Sequence, residues 1–229
     1  MLPVFSSLMM GNNARMNTLI ATVRTSSSVL LTVVLLLSAC DRAPTVLVDE
    51  ETLIGKYVED HQVAAFLGIP FAEAPVGDLR WRAPQPLATK VPQRDATNFA
   101  PACMQTMRIL NWYRYVAERF GATAEYYPDL RISEDCLYLN VWTPTLEANS
   151  KLPVMVWIHG GSNRSGWSYE PNYHGHKLAQ EGVVSISVGY RQGLFGFISH
   201  EDMDPEEPLA NFALWDIIAA LQWIRENVA

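Results

Sequence analysis

An apolar run that halts at two adjacent glycines is where this 229-residue chain is best equipped for chemistry. Residues 153–159, PVMVWIH, are almost wholly apolar and rich in β-forming side chains, and Gly160 and Gly161 follow at once. The pattern predicts a buried parallel strand ending in a loop of bare backbone. Amides at Gly160, Gly161 and Ser162 would then be open to an oxygen that is acquiring negative charge, because no side chain shields them. That is the makeup of an oxyanion hole.

Such a loop works only if regular elements hold it. Residues 182–189 contain a second short apolar run, VVSISV, so the two runs and the segment between them read as strand, crossover and parallel strand. Upstream, Val46, Val48, Leu53, Val58, Val63 and Phe66 alternate loosely about Gly55, as in a short antiparallel hairpin or meander. Leu137, Leu139 and Val141 alternate strictly and predict a strand with one face on the core. At the far end, Leu214, Ile217, Ile218, Leu221, Ile224 and Val228 fall on one face of a helix over 211–228. The class is α/β, with N-terminal antiparallel strands leading into a mostly parallel sheet.

Five stretches carry a family resemblance. They are AFLGIPFAEAPVGDLRWRAPQP at 65–86, SEDCLYLNVW at 133–142, PVMVWIHGGSNRSG at 153–166, the block at 189–197 that holds Tyr190, Arg191, Gly193 and Gly196, and the helix at 211–228. Together they resemble the type B carboxylesterases, the cholinesterase-like branch of the α/β-hydrolases. The resemblance implies a serine esterase that cleaves small-molecule carboxylic esters through an acyl-enzyme and needs neither cofactor nor metal. Carried over by position, Gly161 and Ser162 are oxyanion donors, Gly160 shapes the turn, and Arg80 with Glu134 forms a structural ion pair. Two residues depart from the pattern: Ser162 stands where the family has Gly or Ala, and polar Asn163 where it has an aromatic.

The family's nucleophile sits in a G-x-S-x-G turn. No serine here has it; Ser162 follows Gly160 but precedes Arg164, and Ser168 follows Gly166 but precedes Glu170. The last block is similar to the family helix that leads into the nucleophile strand. The expectation is therefore an incomplete α/β-hydrolase fold over 41–229, lacking the nucleophile-elbow strand and every later element, and inactive alone. The alternative is a non-catalytic cholinesterase-like binding or adhesion module.

The first 40 residues hold no Asp, Glu or Lys, carry Arg15 and Arg24, and run apolar over 29–39 into Leu37-Ser38-Ala39-Cys40. This resembles a bacterial lipobox and implies export, cleavage before Cys40, and lipid on that cysteine, which anchors the protein to a cell-envelope membrane, on its periplasmic face. An ordinary signal peptide cut elsewhere, or a start at Met16, remains the other reading. Cys103 and Cys136 are then an even pair in a disulfide-permissive compartment and are expected to bridge. A net charge of -7 and a pI near 5.2 leave no basic stripe, which sets nucleic acid aside as a partner. Aromatics over 112–127 read either as a gorge rim or as packing. His174 and His176 read as surface histidines, and the acidic stretch over 200–208 as a solvated loop.

Overall fold

A five-stranded mixed sheet organises the computed structural model, which describes residues 42–203 and 210–228. Cys40 lies outside them, as do Asp204, Glu206 and Glu207 of the acidic stretch. In chain order the strands are β1 (Thr45–Val48), β2 (Glu51–Ile54), β3 (Lys56–Val58), β4 (Val63–Pro70), β5 (Gln93–Asp95), β6 (Ala102–Cys103), β7 (Ile132–Ser133), β8 (Tyr138–Thr143), β9 (Val154–Ile158) and β10 (Val184–Val188). The helices are α1 (Arg108–Arg119), α2 (His176–Gln180), α3 (Gly193–Phe197) and α4 (Phe212–Asn227). None of them is long and apolar enough to cross a membrane.

The main sheet runs β3-β4-β8-β10-β9, and β1, β2 and β5 form a small sheet of their own. Alternation sorts β4 between two faces: Ala64 and Phe66 join the larger core, Val63, Ala65 and Leu67 the smaller one. Gly68 then interrupts the ladder with a bulge at φ +69°, its amide donating to Asn140 Oδ1 at 2.9 Å, and the extra residue turns Ile69 back to the larger core. Helix α4 covers the larger core through Ala220 and Ile224, while Ala179 of α2 sits in the smaller core on the other face. This layering of helices on both sides of a sheet is the α/β architecture.

Several sequence expectations need correction. The sheet is not mostly parallel: β4 pairs antiparallel with β3 and β8, and β8 with β10, so β9 with β10 is its one parallel pair among the described residues. Within this sheet, among the described residues, the β9-α2-β10 crossover is what returns the chain in the same direction. Nor is β9 buried. It forms the sheet's edge, with Met155 at 49% and Trp157 at 38% exposure and Ile158 open as well, because nothing among the described residues covers its far side. Strand β8 is the reverse case, a central strand buried on both faces rather than one.

The helix face is also rotated. Phe212, Ala213, Asp216, Ala220 and Ile224 are the buried side of α4, whereas Leu214, Ile218 and Leu221 point outward. Small alanines let the helix lie close to its neighbours, and a Cβ added at Gly196 of α3 would stand 3.0 Å from the Ala213 Cβ. Close approach, not side-chain hydrophobicity, set the register here. His174, finally, is half-buried, not on the surface; its ring lies 5.2 Å from Phe99 and stacks at 6.1 Å on Trp142.

Candidate functional site

The loop after β9 begins with a buried histidine. His159 stacks on Tyr190 with centroids 4.4 Å apart, and the Tyr190 hydroxyl donates to the His159 carbonyl at 2.6 Å. Burial disfavours the charged ring and pushes its pKa down to about 4, so the imidazole is neutral at pH 7. Its Nδ1 lies 3.0 Å from the Gly160 carbonyl oxygen, which assigns the proton to Nδ1 and makes that nitrogen the donor.

This bond decides where the next amide points. In a trans peptide the C=O and the following N–H are antiparallel, and the described chain has no cis bond. Turning the Gly160 carbonyl inward toward His159 therefore turns the Gly161 N–H outward. The same logic repeats one residue on, where the Gly161 carbonyl accepts from Arg164 N at 3.1 Å and leaves the Ser162 N–H on the opposite side. Among the described residues no hydrogen bond occupies the amides of Gly160, Gly161 or Ser162.

Backbone strain holds this geometry. Gly161 has φ +120°, Ser162 +56° and Asn163 +61°, three successive residues in the left-handed half of the map, and the two non-glycines each cost of the order of 1 kcal/mol or more. A Cβ at Gly161 would meet the Ser165 carbonyl at 1.7 Å, and one at Gly166 would meet the Gly160 carbonyl at 2.3 Å, so neither position accepts another residue as it stands. Gly160 meets nothing within 4 Å, so Gly161, rather than Gly160, carries the turn.

The ties that offset the strain use the loop's carbonyls and its last amide. Gly193 N donates to the Asn163 carbonyl at 2.7 Å. Gln105 clamps Gly166 from both sides, accepting from its amide at 2.7 Å and donating to its carbonyl at 2.7 Å. Behind Gly193, Arg191 grips Asp216 of α4 with Nε and Nη2 at 2.9 and 2.7 Å, both residues being buried, and its Nη2 also reaches the Arg82 carbonyl at 2.9 Å. Burial pushes the Asp216 carboxyl upward, and the paired guanidinium opposes that. Gln105 and Asp216 carried no signal as site residues in the sequence; polar residues in loop and helix do not disclose their partners.

The loop opens onto a cleft of about 840 Å³ lined by Gly161 and Ser162. Helix α1 also lines it, supplying Arg108, Ile109 and Trp112. The aromatics of this region divide their work: Trp112 faces the cleft, while Tyr113 stacks on Tyr127 at 5.1 Å and packs edge-on to Trp167 at 6.0 Å. Tyr113 also donates to the buried Glu170 at 2.8 Å, which fixes α1 to the chain just beyond the loop. Burial holds the Glu170 carboxyl above the usual carboxylate range.

The other sequence-predicted residues stand apart from the cleft. Arg80 meets Glu134 through Nε and Nη2 at 2.5 and 2.6 Å, a two-pronged pair between loops. Cys103 and Cys136 form a disulfide that closes a sequence separation of 33 residues, worth roughly 3 to 4 kcal/mol in the chain-entropy model. Both fasten the segment just before β8 to earlier segments of the chain and contribute no group to the cleft.

Comparison with known proteins bears on the same stretch. The chain is 41% identical over 169 residues to a fumonisin B1 esterase of Sphingopyxis macrogoltabida, covering 72% of this chain and 29% of that protein. It is 40% identical over 192 residues to carboxylesterase 1C of Mus musculus, covering 81% of this chain and 33% of the relative. A solved PNB esterase superposes with a TM-score of 0.68 at 38% identity, over 82% of this chain and 36% of its own. The chain thus spans about a third of the length of these relatives. The model of the carboxylesterase family matches residues 42–229, and the chain belongs to that family.

Proposed function

We propose that this chain is the N-terminal, oxyanion-binding part of an exported serine carboxylesterase, with the Ser, His and acid triad supplied by residues outside this sequence. The observation that carries the reading is the loop at 160–162, whose two inward carbonyls leave consecutive amides unbonded at the mouth of a cleft. A scissile carbonyl placed there would gain negative charge against fixed donors, each typically worth about 3 to 4 kcal/mol in the transition state. Neutral His159 sets the first donor's direction and takes no proton itself at pH 7.

Two further features support the division of labour. No G-x-S-x-G turn occurs in the sequence. The edge of β9 and the outer face of α4 leave Trp157, Ile158, Leu214, Trp215, Ile218 and Leu221 exposed, the surface that a following parallel strand and its flanking segments would cover in a complete fold. On this reading the fold is incomplete, Cys40 carries lipid, and the protein sits at a cell-envelope membrane.

Assay of the 229-residue chain on p-nitrophenyl acetate tests the proposal. The expected result is no turnover above the buffer rate; turnover abolished by a serine-directed phosphonate would overturn it. For the anchor, a Cys40→Ala variant should lose palmitate label in a bacterial host, and retained label rejects lipidation at that residue.

A further inference from the structure

Charge is distributed unevenly between the cleft and the rest of the molecule. The chain carries a net charge of -7. Yet among the described residues that line the cleft beside Gly161 and Ser162, two are arginines, Arg108 and Arg164, and none is Asp or Glu. Neither guanidinium has an ion-pair partner among the described residues, whereas Arg80, Arg94, Arg114, Arg191 and Arg225 each have one. Unpaired arginines in an acidic chain are free to meet a ligand.

Their placement is also constrained. Arg108 opens α1, and that helix is fixed at its next turn by Tyr113 on buried Glu170. Arg164 lies within the glycine-bounded loop, and its amide closes the turn on the Gly161 carbonyl at 3.1 Å. Both residues thus line the cleft, one contributed by the helix and one by the donor loop. The first turn of α1 contains no acidic residue that would answer Arg108 from its own helix. Ile109 and Trp112 give the same wall an apolar surface against which a short carbon chain packs.

We propose that the cleft selects esters that themselves carry a carboxylate, with Arg164 and Arg108 binding that carboxylate while the Gly161 and Ser162 amides receive the ester carbonyl. This deepens the esterase reading and rests on it. A guanidinium donates two parallel hydrogen bonds to a carboxylate and so fixes both its position and its plane. A neutral ester of the same skeleton lacks that hold.

Binding to the full 229-residue chain tests this without any need for turnover. The probes are monoethyl succinate, which carries one carboxylate and one ester, and diethyl succinate, which carries two esters and no charge. Affinities are read by ligand-observed saturation-transfer NMR at low salt and again at high salt. The half-ester is expected to bind at least tenfold more tightly, equivalent to about 1.4 kcal/mol, and the preference should shrink at high salt because both guanidinium groups are exposed. Arg164→Gln and Arg108→Gln should each weaken the half-ester several-fold and leave the diester unchanged. Arg225→Gln, the same charge change on the exposed side of α4, should alter neither.

Equal binding of the two esters, with the cleft variants affecting neither, overturns the carboxylate preference and leaves the ester site standing. A loss of half-ester affinity as large in Arg225→Gln as in Arg164→Gln also overturns it, since net charge alone would then explain the effect. Failure of both esters to bind overturns the ester site itself, and this inference with it.

Discussion

The two sides of the loop at 160–166 are built on opposite terms. Behind it stand His159, Tyr190, Arg191 and Asp216, all buried, with the pair's charges answered by each other and the imidazole held neutral. In front stand the Gly160, Gly161 and Ser162 amides with the Arg108 and Arg164 guanidinium groups, all open to solvent or cleft, the amides without a hydrogen bond and the guanidinium groups without an ion pair among the described residues. The open side therefore contributes little to holding itself in place. Its geometry is a consequence of the wall behind it, and mutations on the two sides should separate stability from binding.

The largest effect is expected where the wall carries charge. Asp216→Asn leaves Arg191 buried without its counter-ion, and breaking a buried pair by removing one partner typically destabilises by about 3 to 5 kcal/mol. Because Arg191 stands two residues before Gly193, whose amide holds the Asn163 carbonyl, the loop should loosen together with the fold. Urea unfolding of the chain measures the first effect. A midpoint within experimental error of the parent would show that the wall is not what sustains the loop.

A smaller effect is expected from pH, and it isolates His159. The unfolded imidazole takes up a proton near its ordinary value of 6.5, whereas the buried ring does so only at about 4. Between these values the unfolded state binds more protons, so stability is level above pH 6.5, falls as pH drops through the window, and stops falling below about 4. The gap corresponds to roughly 3 kcal/mol of stability lost from this group across the window. Urea midpoints taken at pH 7, 6, 5 and 4.5 should show that decline in the parent and a flatter one in His159→Gln. Parallel curves would mean that the ring is not held neutral and does not orient the Gly160 peptide as a donor.

The same division governs what was legible in the sequence. The bare backbone of the front side could be read, because paired glycines after an apolar run disclose it whatever the tertiary context, and the motif blocks named Gly161 and Ser162 there and the Arg80–Glu134 pair away from the cleft; Arg108 and Arg164 carried no such signal. The wall could not be read. Gln105, two residues past a cysteine, and Asp216, within a helix, acquire their meaning from groups 61 and 25 residues away. Coverage was equally hidden. Strands β8 and β9 are both rich in apolar residues, yet one is central and buried and the other is an edge with Met155 and Trp157 exposed. Periodicity reports which side chains are apolar and how they alternate, but strand order decides which of them find a neighbour. Helix α4 formed where its pattern placed it, but its buried face was misread for a related reason, since its alanines and paired aspartate mark that face and its larger leucines do not.

The smallest effect is expected on the open side, and its smallness is the point. Arg164 is exposed, belongs to no ion pair among the described residues, and contributes to the turn through its backbone amide, which glutamine retains. Arg164→Gln should therefore leave the urea midpoint unchanged, within about 0.5 kcal/mol, as surface substitutions away from packed features generally do. Set beside Asp216→Asn, it gives a direct test of the contrast between the two sides. If Arg164→Gln destabilised the chain as much as the buried-pair variant does, the guanidinium would be a structural brace of the loop, and its freedom to bind a carboxylate would be gone.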